Sequence, residues 1–299
     1  MTSITIPTSL RDVLEALAGG ARPIAGGTDL VVSSRQGKAP LPEALVAIDQ
    51  VAELSEVKTG TDGLMIGAMV THARLMTEEL LVESYTAVAD AAALVGSPST
   101  RNVGTIGGNV MNGSPAMDTG APLVVLGAEV ELRSTSGSRR VSLADLWTGP
   151  GRTSAAPDEL CVAVHLPLRP VRSGSAYVRL EYRRAMEIAV VGAAASVSLA
   201  EDGTIAAVAV ALTAVAPTIL AVPDLDALVG LDPTVAAQRV APAASATATP
   251  ISDLRASDTY RRHTIGVMAT RAVEAAARRA SGETIAVPVN RALGIGAAR

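Results

Sequence analysis

The stretch Arg101-Asn-Val-Gly-Thr-Ile-Gly-Gly-Asn-Val-Met-Asn-Gly-Ser-Pro-Ala-Met-Asp118 constrains the fold more than any other. It places Gly104, Gly107, Gly108 and Gly113 among the hydrogen-bonding side chains of Thr105, Asn109, Asn112, Ser114 and Asp118. Glycine lets the backbone enter positive φ and lets a second molecule approach the amides closely. Successive amides in such turns form a concavity that binds anions, with no cationic side chain required. Ala25-Gly-Gly-Thr-Asp-Leu30 has the same character. The pair predicts two loops that meet on one phosphate-bearing cofactor.

Neither stretch matches Gly-x-Gly-x-x-Gly or the P-loop pattern, which argues against a Rossmann dinucleotide fold and against a nucleoside triphosphatase. A lone Gly-Gly is most often only a turn. The joint form carries the weight: each pair follows an apolar strand or helix, and each has Thr and an amide or carboxylate beside it.

Composition narrows the partners. A formal net charge of -4 argues against nucleic acid. No apolar run is long enough to span a bilayer, and Met-Thr-Ser-Ile-Thr-Ile-Pro lacks the regions of a signal peptide, so the expected compartment is cytoplasmic. The single cysteine, Cys161, excludes an internal disulfide and a self-contained iron–sulfur cluster. His72, His165 and His263 have no metal-ligand spacing. With no Phe, one Trp and four Tyr, the core must be Val, Leu, Ile, Ala and Met.

Along the chain, Ile4 to Pro7 suits a strand, and Ser9 caps a helix with Leu10, Val13, Leu14 and Leu17 on its apolar face. Strands follow at 21–25 and 45–49, so the first fifty residues read β-α-β-β. A second unit begins near Leu54, with a strand at 63–68 and a helix at 85–95; the opening glycine stretch then follows as a loop. Pro122 starts a short helix, 129–134 and 139–143 form a hairpin, and 160–166 is a strand. Composition shifts at 167–175, where a domain boundary is expected. Strands at 176–183, 190–199 and 205–214 follow, the last two joined by Glu201-Asp-Gly-Thr204. Residues 235–250, rich in Ala, Pro and Thr, read as an irregular connection. Ser257 caps a long helix over 258–280.

On these residues the chain resembles the FAD-binding medium subunit of the molybdenum hydroxylases, the family of aerobic carbon monoxide dehydrogenase and xanthine dehydrogenase. Ala25-Gly-Gly-Thr-Asp-Leu30 and Arg101-Asn-Val-Gly-Thr-Ile-Gly-Gly-Asn109 are similar to its paired FAD loops. Leu64 to Thr71, Tyr182 to Ala193 and Ser252 to His263 are similar to later segments, in the same order. The resemblance implies an α+β chain. A PCMH-type FAD-binding fold of two α/β subdomains (1–53 and 54–170) would precede a C-terminal domain (171–285, an antiparallel sheet with helices) and a tail (286–299). It implies that Gly26, Gly27, Thr28, Asp29 and Leu30, with Thr105, Ile106, Gly107, Gly108 and Asn109, wrap the pyrophosphate of FAD. Asp118 would accept from cofactor hydroxyls, Cys161 would lie near the flavin, and Arg179 would reach the flavin or its phosphates.

Other roles are open to some of these residues. Asp118 could cap the helix at Pro122, Arg179, Arg183 and Arg184 could form a solvated basic face, and Cys161 could be buried and inert. His72 could cap or hydrogen-bond locally.

The resemblance further implies an oxidoreductase subunit with no catalytic side chain of its own. It would pass electrons from 2Fe-2S clusters to an external acceptor. The clusters would lie in a small subunit and the molybdopterin in a large one, assembled as a dimer of heterotrimers (a heterohexamer). The alternatives are a free-standing FAD-dependent reductase, for which the chain offers no clear acid or base, and an assembly module that has lost FAD.

Overall fold

The computed structural model describes residues 2–295. The first unit runs β1 (Ser3–Thr5), α1 (Leu10–Ala18), β2 (Arg22–Ile24), α2 (Leu30–Arg35) and β3 (Ala44–Ala47). β1 and β2 flank β3, both parallel to it. Parallel neighbours cannot be joined by a tight turn, so helical connections are required. The Ser9 hydroxyl accepts the Asp12 amide at 3.2 Å to start α1. Leu10, Val13, Leu14 and Leu17 then pack with Val46 and Ile48, in a small core completed by Leu160 and Val162.

The second unit contains β4 (Val57–Gly60), β5 (Gly63–Gly67), α3 (His72–Leu75), α4 (Glu79–Ser84), α5 (Thr86–Leu94), α6 (Pro98–Val103), α7 (Ile106–Asn112) and α8 (Gly120–Val125). It continues with β6 (Glu129–Ser134), β7 (Gly137–Ser142), α9 (Leu143–Leu146), the ribbon β8 (Trp147–Gly149) and β9 (Arg152–Thr153), and β10 (Leu160–Pro167). Five strands form an antiparallel sheet in the order β4-β5-β10-β6-β7.

The glycine stretch, expected as one loop, is in fact two short helices with a sharp joint at Gly104-Thr105. Ser97 caps α6, whose first residue is Pro98; Thr105 caps α7, and left-handed Gly113 (φ 60°) ends it. Cap spacing alone could have revealed both helices.

The third unit is an antiparallel meander of β11 (Ser173–Leu180), β12 (Val191–Leu199), β13 (Ile205–Thr213) and β14 (Leu220–Ala221). Its two faces serve different cores. Ala176 and Val178 join the core beneath α10 (Pro233–Thr247) and α11 (Asp258–Ala280), whereas Tyr177 joins the core of the second unit. Side chains alternate along a strand, so β11 is the seam between the units.

Two expectations need correction here. Residues 235–250 are not irregular: Asp232 caps α10 through the amides of Thr234 and Val235, with Pro233 at the first helical position. Ala236, Ala237, Val240 and Ala244 are buried on α10 despite the internal Pro242. Small residues and proline hid the helical period. Nor is 286–295 a loose tail. It forms α12 (Val289–Ala292), in which Asn290 Oδ1 accepts the Arg179 amide at 3.0 Å and Asn290 Nδ2 donates to the Arg179 carbonyl at 2.9 Å. Residues 296–299 of that expected tail lie outside the described residues.

Candidate functional site

The two glycine loops meet. A Cβ on Gly26 would sit 1.9 Å from the Val103 carbonyl oxygen, so only glycine lets the turn after β2 close on the end of α6. Gly27 adopts φ +67° in that turn, a region that costs any side chain strain. Behind the second loop, a Cβ on Gly107 would meet Ala68 at 2.6 Å. The segment 104–107 is laced to 68–72 by three backbone hydrogen bonds: His72 to Gly104, Ile106 to Val70 and Gly107 to Ala68, at 2.9–3.0 Å.

The loops differ in what their amides do. In the second loop the amides of Ile106 and Gly107 are spent on the 68–72 segment, and that of Gly108 on the Thr105 hydroxyl at 3.1 Å. The Asn109 amide donates to the Thr105 carbonyl at 3.0 Å. In the first loop, among the described residues, the amides of Gly26, Gly27, Thr28 and Asp29 have no protein acceptor. That loop is therefore the open donor set, while the second forms the wall against which it faces. The Asn109 side-chain Oδ1 accepts from the Thr119 hydroxyl at 2.6 Å, which leaves its NH₂ group as a further donor. Leu30 begins α2 and is half-buried.

Asp118 and Arg179 sit deeper than the sequence reading placed them. Asp118 neither caps α8, whose cap residue is Thr119, nor presents a free carboxylate. One of its oxygens accepts from the Tyr177 hydroxyl at 2.8 Å and the other from Arg179 Nη1 at 2.8 Å. Arg179 is wholly buried rather than on a solvated face, and its Nε donates to Glu181 at 2.9 Å. Burial works against the charge on Arg179, but Asp118, Tyr177 and Glu181 outweigh it and hold the guanidinium protonated. Tyr177 and Glu181 were missed from sequence. Their signal was alternation: Tyr177, Arg179 and Glu181 alternate with Ala176, Val178 and Leu180 along β11 and the residue after it. Arg183 and Arg184 are exposed on the loop after β11, Arg183 pairing with Glu187 at 3.3 Å.

Cys161 is buried on β10 in the same core cluster as Ile106 and Val110. Burial, aided by Glu131, pushes its thiol up to about 12. His72 is buried at the start of α3, where Thr71 and not His72 supplies the cap.

Residues 1–169 match the family described as the FAD binding domain in molybdopterin dehydrogenase, and residues 176–276 match the CO dehydrogenase flavoprotein C-terminal domain. The chain belongs to this family. It is 35% identical over 280 residues to the carbon monoxide dehydrogenase medium chain of Afipia carboxidovorans, covering 92% of this chain and 96% of that one. It is 30% identical over 281 residues to a putative xanthine dehydrogenase FAD-binding subunit of Escherichia coli, again covering 92% and 96%. The fold superposes on a chain of carbon monoxide dehydrogenase from Hydrogenophaga pseudoflava with a TM-score of 0.87 at 30% identity, covering 93% and 98%.

The two loops suit the family's cofactor. A pyrophosphate needs several convergent donors and close backbone approach, and open amides against a glycine-lined wall provide both. No side chain of His or Cys stands in either glycine loop to bond a flavin covalently.

Proposed function

We propose that this chain is the FAD-holding, electron-transferring subunit of a three-part molybdenum hydroxylase. The observation that carries the reading is the set of open amides at Gly26, Gly27, Thr28 and Asp29, closed against Val103 by the missing Cβ of Gly26. These amides and the Thr28 hydroxyl bind the pyrophosphate, and Asn109 adds its NH₂ group. Thr105, Ile106, Gly107 and Gly108 set the shape of the facing wall. Asp118 and Arg179 act on the cofactor indirectly, by fastening the end of the second loop to β11. Cys161 is a small apolar support behind α7. The redox chemistry is that of the flavin when bound; the chain sets its position and surroundings.

The partners follow from what the chain lacks. With one cysteine it cannot ligate a cluster of its own, and among the described residues no three His, Cys, Asp or Glu side chains gather as metal ligands. Electrons therefore arrive through a small subunit with 2Fe-2S clusters and originate at a large molybdenum-cofactor subunit. The relatives named as medium chain and FAD-binding subunit support this over a free-standing reductase. The assembly is a dimer of such heterotrimers in the cytoplasm, and it delivers electrons to NAD, oxygen, a quinone or another acceptor. Isolating the tagged chain gently from its native host tests the reading. Stoichiometric molybdenum, iron and two associated chains are expected, with non-covalent FAD in the supernatant after denaturation. Released FMN, or a lone chain that oxidises an organic substrate at roughly one turnover per second or faster, overturns it.

A further inference from the structure

His72 is the one histidine near the cleft, and its surroundings are unusual. The residue is 2% exposed, and its Nδ1 is buried with no hydrogen-bond partner. Its backbone amide is tied to the Gly104 carbonyl at 3.0 Å, so the ring is anchored at the joint of the second loop. Imidazole Cδ2 lies 3.3 Å from the point that a Cβ on Gly104 would occupy, and the Thr28 hydroxyl lies 3.7 Å from the same point. Cδ2 is bonded to Nε2. Nδ1 is the ring nitrogen buried without a partner, so Nε2 is the nitrogen next to the atom that meets the two loops.

The orphaned atom fixes the tautomer. A neutral imidazole carries one N–H and one bare nitrogen. A buried N–H without an acceptor costs more than a bare ring nitrogen without a donor, because a strong donor loses its water. The proton therefore belongs on Nε2 and the lone pair on Nδ1. A second proton is opposed from two sides. Burial draws the imidazole down to about 4, and the charge of Arg101 on α6 pushes the same way. Asp90 on the packed helix α5 is held by Arg279 at 2.6 Å, and Asp29 of the first loop is exposed, so neither is a buried free carboxylate for the ring.

We propose that His72 is a cofactor-binding residue, whose neutral imidazole donates Nε2–H to the phosphate oxygens held between the two glycine loops. This rests on the reading that FAD lies there. It adds a side-chain donor from α3, an element outside both loops. It also gives Gly104 a second reason to lack a side chain, since a Cβ there would crowd the ring.

The test uses the full chain stripped of flavin, titrated with FAD and with ADP, which carries the pyrophosphate without the flavin. His72→Leu is expected to weaken both by at least about tenfold, the scale of one hydrogen bond to a charged group. His72→Gln, which keeps a donor near the Nε2 position, is expected to stay within about threefold of wild type. Histidine ¹⁵N spectra of the wild-type chain supply a readout that does not depend on a variant folding. With three histidines in the chain, the His72 signals are assigned by their loss in His72→Gln. A bare Nδ1 and a protonated Nε2 are expected, with Nε2 alone moving when FAD is added. Unchanged affinity in His72→Leu, equal losses in Leu and Gln variants, or an Nε2 signal indifferent to FAD each overturn the proposal while leaving the FAD reading intact. A wild-type chain that binds neither FAD nor ADP overturns both.

Discussion

Arg179 and Asp118 form a 2.8 Å ion pair across 61 residues of sequence, joining the meander to the end of the second glycine loop. Glu181 lies on the far side of the same guanidinium, and its other oxygen is held by Arg291. Arg179→Met should leave Asp118 without its counter-ion and Glu181 with Arg291 alone, and cost about 3–5 kcal/mol, as breaking a buried pair does. Asp118→Asn should cost less, because Arg179 keeps Glu181 and Tyr177 keeps an oxygen to donate to. Urea unfolding of the two variants checks the order; equal losses would mean that Arg179 is held mainly by its backbone contacts with Asn290.

Gly26 should tolerate nothing larger. Gly26→Ala places a methyl against the Val103 carbonyl and forces the loops apart, so purified variant should lose most of its flavin. Gly60→Ala is the control, since its Cβ would find no atom nearer than 3.9 Å and its φ is ordinary. Flavin content per chain, read with circular dichroism, separates the two. A fully loaded Gly26→Ala protein would show that the closure of the loops is not what holds the cofactor.

Gly108→Val addresses the wall. Its Cβ would approach the Thr105 hydroxyl at 3.1 Å, a contact that a small shift relieves. The residue is otherwise exposed. The fold should survive while flavin occupancy falls, and the same two measurements decide. Full occupancy would place the cofactor elsewhere.

His72 makes stability depend on pH in a defined direction. Burial lowers its folded pKa from the ordinary 6.5 to about 4. Between those values the unfolded chain binds the extra proton and the folded chain does not, so stability falls as the medium is acidified from about 6.5 to 4. The stability is fully present above the upper value, and about 3 kcal/mol of it is lost by the lower one. Denaturant unfolding at pH 7 and pH 4.5 should show a smaller difference in His72→Gln than in wild type. An identical difference would mean that the imidazole protonates freely in the folded state.

Cys161 should be silent. With its thiol pushed up to about 12 and its side chain buried, a thiol reagent at pH 8 should find no reactive group in the native chain and one per chain after denaturation. Rapid native labelling would place Cys161 at an opening in the core.

The sequence made the two stretches readable as a pair because both join glycines to Thr and an amide or carboxylate, and because the family resemblance spans nearly the whole chain. It also showed the α1 cap, the hairpins and α11, where period and cap agree. Alanine hid α10: a stripe of Ala236, Ala237 and Ala244 has too little hydrophobic contrast to reveal a helical period, and Pro242 argues against one. The division of labour between the loops was invisible for a different reason. Whether an amide is free depends on what packs behind it, and the 68–72 segment that uses up the amides of Ile106 and Gly107 is remote from them in any motif. The Asp118–Arg179 pair was hidden by the same distance, although both residues were singled out separately.

The clasp at residues 289–290 carries a consequence for how the molecule is made. The Asp90 carboxylate is buried in the second unit, yet one of its oxygens waits for the amide of Val289, 199 positions later. The strand that carries Arg179 likewise waits for Asn290 to satisfy its backbone. On the ribosome, the glycine loops emerge long before these groups do. Until residues 289–290 dock, the nascent chain holds a half-closed seam, in which Arg279 and the Tyr177 amide hold the Asp90 carboxylate without its third partner and the strand edge at Arg179 is unpaired. The seam between the second and third units therefore closes only when residues 289–290 dock against it.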